Sequence, residues 1–120
     1  MKLRFSVLAL VTLLATNTAS ATSLLNVSEE EIRDRLAESF VASLYCKEFT
    51  LRHNVLDLVW DVLELKTGSD PEDDTEKSLY VARVDEWGAK FKADVRRSCA
   101  DAYARFGPDG SAIRDALYRK

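Results

Sequence analysis

The chain carries two cysteines, Cys46 and Cys99, placed almost symmetrically about the one turn-like stretch of its interior, Thr67-Gly68-Ser69-Asp70-Pro71. In an oxidising compartment two cysteines pair, and with only two the connectivity is unique, Cys46 to Cys99. At 1.5 Å per residue, a helix over residues 46–66 is about 30 Å long and a return over 76–99 about 35 Å. Two antiparallel rods of such similar length bring the cysteines side by side with the bend near residue 72. The same register puts Leu63 near Val84, Trp60 near Trp87 and Leu56 near Phe91, each an apolar pair. Closing a loop of that size stabilises the fold by roughly 4 kcal/mol through restriction of the unfolded chain.

The oxidising compartment is itself read from the N-terminus. Met1-Lys2-Leu3-Arg4 is a short basic start, residues 5–15 are an apolar run, and Ala19-Ser20-Ala21 has the small-x-small form of a cleavage site. Charge, apolar run and cleavage site follow in the order of a secretory signal. A bilayer-spanning helix needs about 20 apolar residues, and Asn17 with its Thr and Ser neighbours interrupts this run too early. The expectation is a signal peptide over 1–21, a single domain over 22–120, a periplasmic or secreted location and no stable membrane anchor.

Within 22–120 the pattern is helical. Residues 22–27 read as a flexible lead-in. Ser28-Glu29-Glu30-Glu31 is a capping box, with the Ser28 hydroxyl accepting a backbone N–H and Glu31 reaching back to the Ser28 amide. Ile32, Leu36, Phe40 and Leu44 then recur at i+4, an amphipathic helix with one buried stripe. The apolar pattern weakens around Thr50-Leu51-Arg52-His53-Asn54, where a boundary or kink near Asn54 is expected. Residues 55–65 are so apolar that the helix there is expected to be covered on more than one side, with Asp57, Asp61 and Glu64 at helical rather than alternating spacing. Gly68 ends it, and Asp70-Pro71-Glu72-Asp73 reads as an N-cap, a proline at the first helical position and two dipole-compensating acids. Tyr80, Val84, Trp87, Phe91, Val95, Cys99, Ala102 and Phe106 continue at steps of three or four, giving one long helix through Gly88 to Phe106. Gly107-Pro108 stops it, and a last short helix carries Ile113, Ala116 and Leu117. The fold class is all-α: a long antiparallel hairpin, tied at its open end by Cys46–Cys99, with an N-terminal packing helix and a short C-terminal helix.

The residues that could carry chemistry are few. His53 is the only histidine, with Asp57 one turn on; without further ligands the pair reads as ordinary polar residues near a helix bend. Glu72, Asp73, Asp74 and Glu76 crowd an exposed connection and read as a solvated turn. No calcium-loop spacing, phosphate-binding glycine loop or nucleophile elbow is present, so no catalytic residue, metal site or cofactor is expected, and the protein is read as not an enzyme. The formal charge is −3. Removal of Lys2 and Arg4 leaves 15 of the 17 basic residues against 20 acids, or −5. This balance does not suit nucleic acid, whose binders concentrate basic surface. Arg83, Lys90 and Arg97 recur at helical spacing, but Asp94 and Asp101 lie near that line, as on a mixed-charge solvated face. Trp60, Trp87, Phe91 and Tyr80 read as core, and any apolar surplus in so small a domain suits a homodimer or a client-binding surface.

Cys46-Lys47-Glu48-Phe49, the acidic Pro71-Glu72-Asp73 turn and Cys99 together resemble the periplasmic acid-stress chaperone family of HdeA and HdeB. The likeness spans roughly residues 46–105. It implies a structural disulfide, a dimer at neutral pH, and acid-released monomers that hold unfolding clients. The chain departs from that family in its well-capped helix before Cys46 and its longer second half. At very low pH the neutralised carboxylates leave 15 basic side chains and His53, a swing from −5 to about +16 that splits an apolar interface by self-repulsion. The binding residues are not identified by the sequence. Two functions follow as expectations: a holdase for unfolded clients in acid, or a constitutive binding module, such as an immunity protein or enzyme inhibitor, with a specific protein partner at neutral pH.

Overall fold

A computed structural model describes residues 24–120; the expected leader over 1–21 lies outside them. Four helices follow in order: α1 (Glu29–Tyr45), α2 (His53–Thr67), α3 (Asp74–Ala93) and α4 (Val95–Phe106). Two three-residue strands, β1 (Phe49–Leu51) and β2 (Leu117–Arg119), complete the domain. The disulfide-tied, mostly helical class is as expected. Among the described residues no helix is long and apolar enough to cross a membrane.

Local chemistry accounts for most helix ends. Ser28 caps α1 by accepting the Glu31 N–H at 3.2 Å. The Glu31 carboxylate pairs with Arg35 one turn on rather than returning to Ser28, so only half of the expected box forms. Gly68, at φ 70°, closes α2 in the left-handed conformation that glycine adopts without a Cβ penalty. The next cap is displaced from its expected position. Asp70 accepts the Glu72 N–H and holds the turn, while Asp73 accepts from Thr75 and Glu76 and begins α3. The lead-in is not loose either, because Leu24 opens a 3₁₀ turn and is buried in the core.

The long-hairpin reading needs correction in three places. First, the run after Cys46 is not helical: residues 47–48 turn, Phe49–Leu51 extend, and α2 begins only at His53, one residue before the expected boundary. Second, the helix expected to reach Phe106 breaks at Asp94, whose φ of −154° and ψ of 81° are not helical and whose carboxylate accepts the Arg97 N–H to start α4. Third, α3 lies chiefly along α1, not along α2. Arg33 meets Glu76 near the start of both helices and Tyr45 meets Phe91 near their ends, so α1 and α3 run in the same direction. Trp60 therefore packs edge-on against Tyr80 rather than Trp87. Trp87 instead donates its indole N–H to Asp34 on α1 at 2.9 Å.

The expected C-terminal helix is also absent. Ile113, Ala116 and Leu117 are buried as their spacing suggested, but by turns and a strand. Asp115 has φ 61°, a left-handed conformation that a continuing helix does not admit, and its amide bonds the Gly107 carbonyl at 2.8 Å. Gly110 lies where a Cβ would stand 2.5 Å from the Arg105 carbonyl oxygen, so the segment folds back tightly under α4. It then pairs antiparallel with β1 in the register Phe49↔Arg119, Thr50↔Tyr118, Leu51↔Leu117. One apolar core runs through the molecule, from Leu24, Ile32 and Leu36 across Val59 and Leu63 to Phe91, Phe106, Ile113 and Leu117.

Candidate protein-binding surface

Cys46 follows the last turn of α1 and Cys99 lies in the second turn of α4. Their Cα atoms are 5.7 Å apart in a disulfide spanning 53 residues of sequence. Both are buried, and neither thiol is free for catalysis or metal binding. The bond fixes the end of α1 against the start of the last helix.

Two arginine–carboxylate contacts join the helices. Arg33 and Glu76 form a bidentate pair, with Arg33 Nε to Glu76 Oε2 at 3.2 Å and NH2 to Oε1 at 3.0 Å. Glu38 on α1 accepts from Arg105 Nε on α4 at 2.9 and 3.0 Å. Glu38 is only 2% exposed. Burial pushes its carboxyl up to about 7; Asp34 adds to the rise, while Arg105 and Lys90 oppose it. A raised folded value means that the folded protein binds this proton more tightly than the unfolded chain does. Its stabilising contribution is complete below the ordinary 4.5 and is lost as pH rises through about 7. Stability is therefore expected to rise by up to about 3 kcal/mol on acidification across that window. Urea unfolding near pH 8 and pH 5 should show this gain, and Glu38→Gln should remove it. An unchanged slope in that variant would place the proton elsewhere.

The outside of the helices is more apolar than their spacing suggested. Along α1 the buried face is Ile32, Leu36, Ala37, Val41 and Ala42, whereas Phe40 and Leu44 point to solvent, Leu44 at 63% exposure. The i+4 stripe thus drifts out of the core as the 3.6-residue turn carries it round. Helix α2 is covered on one face only, by way of Leu56, Val59, Val62 and Leu63. Leu58 and Leu65 lie outside, the latter 78% exposed. On α3 only Phe91 is fully buried, while Leu79 and Val81 are exposed. The partly buried Tyr80 lies between α1 and α2, its ring 5.0 Å from that of Trp60 and 6.4 Å from that of Phe40. Burial also raises its phenol to about 12, so it stays neutral across the physiological range.

The polar residues singled out in the sequence have structural positions. His53 begins α2 exposed, with Asp57 exposed one turn on. Glu72 pairs with Lys77 at 2.9 Å, Asp73 is a helix cap, and Glu76 holds Arg33. Among the described residues no cluster of His, Cys, Asp or Glu could hold a metal ion. Arg33, Glu38 and Arg105 were not visible in the sequence as linking residues. The only signal was their flanking: Arg33 follows Ile32, and Glu38 sits between Ala37 and Ser39, against the edge of an apolar stripe. No family model matches the chain, and no curated protein or solved structure is similar to it.

Proposed function

We propose that this protein acts by holding other proteins, as an exported holdase that keeps clients soluble under acid stress. The observation that carries the proposal is a set of outward-facing leucines, Leu44, Leu58 and Leu65, on a frame in which an acid-stable covalent bond ties the end of α1 to the start of α4. Large exposed apolar side chains of this kind are available to hold apolar stretches of a client. The buried Glu38 favours the same reading, since its protonation stabilises the helical frame during mild acidification. Below pH 3 the uniform positive charge keeps the chaperone and any bound client apart from their neighbours.

The test is client aggregation followed by light scattering near pH 2–3 and at pH 7, with and without equimolar protein. Suppression in acid is expected; its absence there overturns the holdase. A second reading, a constitutive module for one partner at neutral pH, is favoured by the leucines being exposed without any acid trigger. Its signature is a one-to-one complex recovered from envelope extract at pH 7.

A further inference from the structure

Beyond its Asp94 cap, helix α4 starts against the usual charge rule. Its first turn contains no acid and instead has Arg96 and Arg97, although the N-terminus is the positive end of the helix dipole and disfavours cations. Helices α1 and α3 place Glu29, Glu30, Glu31, Asp74 and Glu76 in the corresponding turns. Beside this start lies a groove of about 690 Å³ along the disulfide. Its apolar wall includes Tyr45, Phe49, Val95 and Tyr103, and its rim carries Lys47, Arg96 and Arg119 with one carboxylate, Glu48.

The three rim cations are not neutralised by any acid of the described fold, unlike the arginines that link its elements. Arg33, Arg35, Arg52, Lys77, Arg83 and Arg105 each have a carboxylate partner. Among the described residues no carboxylate pairs with Lys47, Arg96 or Arg119. Arg119 is nevertheless positioned: its guanidinium stands 4.7 Å from the Tyr103 ring centre and 5.5 Å from that of Phe49. Those two rings are themselves stacked 5.1 Å apart. Such cation–π support leaves the guanidinium N–H donors available to a carboxylate.

We infer that this groove binds an acidic peptide segment of a partner protein, its carboxylates on Lys47, Arg96 and Arg119 and an apolar side chain against Val95 and the aromatic wall. Three cations concentrated at one groove of a chain with formal charge −3 select for negative charge. The apolar wall selects for more than a free anion. Three phosphate contacts are too few for a dedicated nucleic-acid site. The inference is independent of the acid-stress reading, because the peptide's carboxylates are charged at neutral pH and protonated where a holdase would work.

Fluorescence anisotropy of the oxidised full chain at neutral pH tests it. The probes are a labelled Glu/Asp-rich decapeptide carrying one Phe and its Gln/Asn counterpart, with inorganic phosphate and anionic-lipid vesicles as competitors. The acidic peptide should bind, weaken as salt rises, and lose about tenfold or more in affinity with Arg96→Glu. Arg119→Ala should weaken it similarly, whereas Arg97→Ala, on the same turn but outside the groove lining, should change it less than about twofold. Arg96 and Arg97 are exposed, and circular dichroism confirms that each variant is folded. Equal binding of the neutral peptide, full affinity in Arg96→Glu, or displacement by phosphate or vesicles at matched anion concentration would each overturn the assignment.

Discussion

Reduction of the Cys46–Cys99 bond is expected to lower the stability of this domain by about 4 kcal/mol and its thermal midpoint by roughly 15–30 °C. The loop released spans 53 residues and contains β1, α2, α3 and the start of α4. The unfolded chain recovers the entropy of all of them, while the folded state loses its one covalent link between α1 and α4. For a small domain whose net stability is commonly about 5–15 kcal/mol, that is a large fraction. What remains between the two helices is the Glu38–Arg105 pair and the packing of Ala102 and Phe106 into the shared core. Thermal melts by circular dichroism with and without reductant, and of a Cys46→Ala/Cys99→Ala variant, measure the effect. A shift of only a few degrees would mean that noncovalent packing alone fixes the two helices. On the proposed holdase reading, loss of the bond should also weaken client protection in acid, since noncovalent packing alone then opposes expansion of the highly charged chain.

The cysteine pair was legible because it is a covalent rule needing no geometry beyond reach. Ser28 and Gly68 were legible because their roles are local, set by a side-chain oxygen and by a missing Cβ. The helix break at Asp94 was not, since Ala93-Asp94-Val95 contains neither Gly nor Pro. There one aspartate ends a helix by capping the next through the Arg97 amide, in competition with an unbroken apolar period. The β1–β2 ladder was hidden for a different reason. Three-residue strands carry almost no period, and their pairing joins Phe49 to Arg119 across most of the domain. The choice of α1 rather than α2 as the partner of α3 depends on Arg33 and Asp34. Their spacing reads as solvated until the facing charges and the Trp87 indole are placed. The exposed apolar surface was legible only as a surplus of large apolar residues; its location depends on which of them the core leaves outside.

Removing one member of the Arg33–Glu76 pair should be the most damaging point change at the α1–α3 contact, at about 3–5 kcal/mol. Arg33 is 5% exposed, and both side chains lie between the helices, so Arg33→Met or Glu76→Leu strands the opposite charge away from water. The cost is that of the orphaned ion, and the pair itself need not be strongly favourable. The double variant Arg33→Met/Glu76→Leu, with both charges gone and apolar volume in their place, should accordingly recover most of the loss. Helix α3 is unusually dependent on this contact. Phe91 is its one fully buried residue, near its end, and between Phe91 and Glu76 the Trp87–Asp34 hydrogen bond and the longer Arg83–Asp34 ion pair make the polar connections to α1. In the single variants hydrogen exchange should therefore accelerate first along the N-terminal two-thirds of α3, with α1, α2 and α4 still protected. The double-mutant cycle, read by urea unfolding, should give a coupling of several kcal/mol. A coupling below about 1 kcal/mol, the value for exposed pairs, would show that water reaches these charges and that α3 is held by its aromatic residues instead.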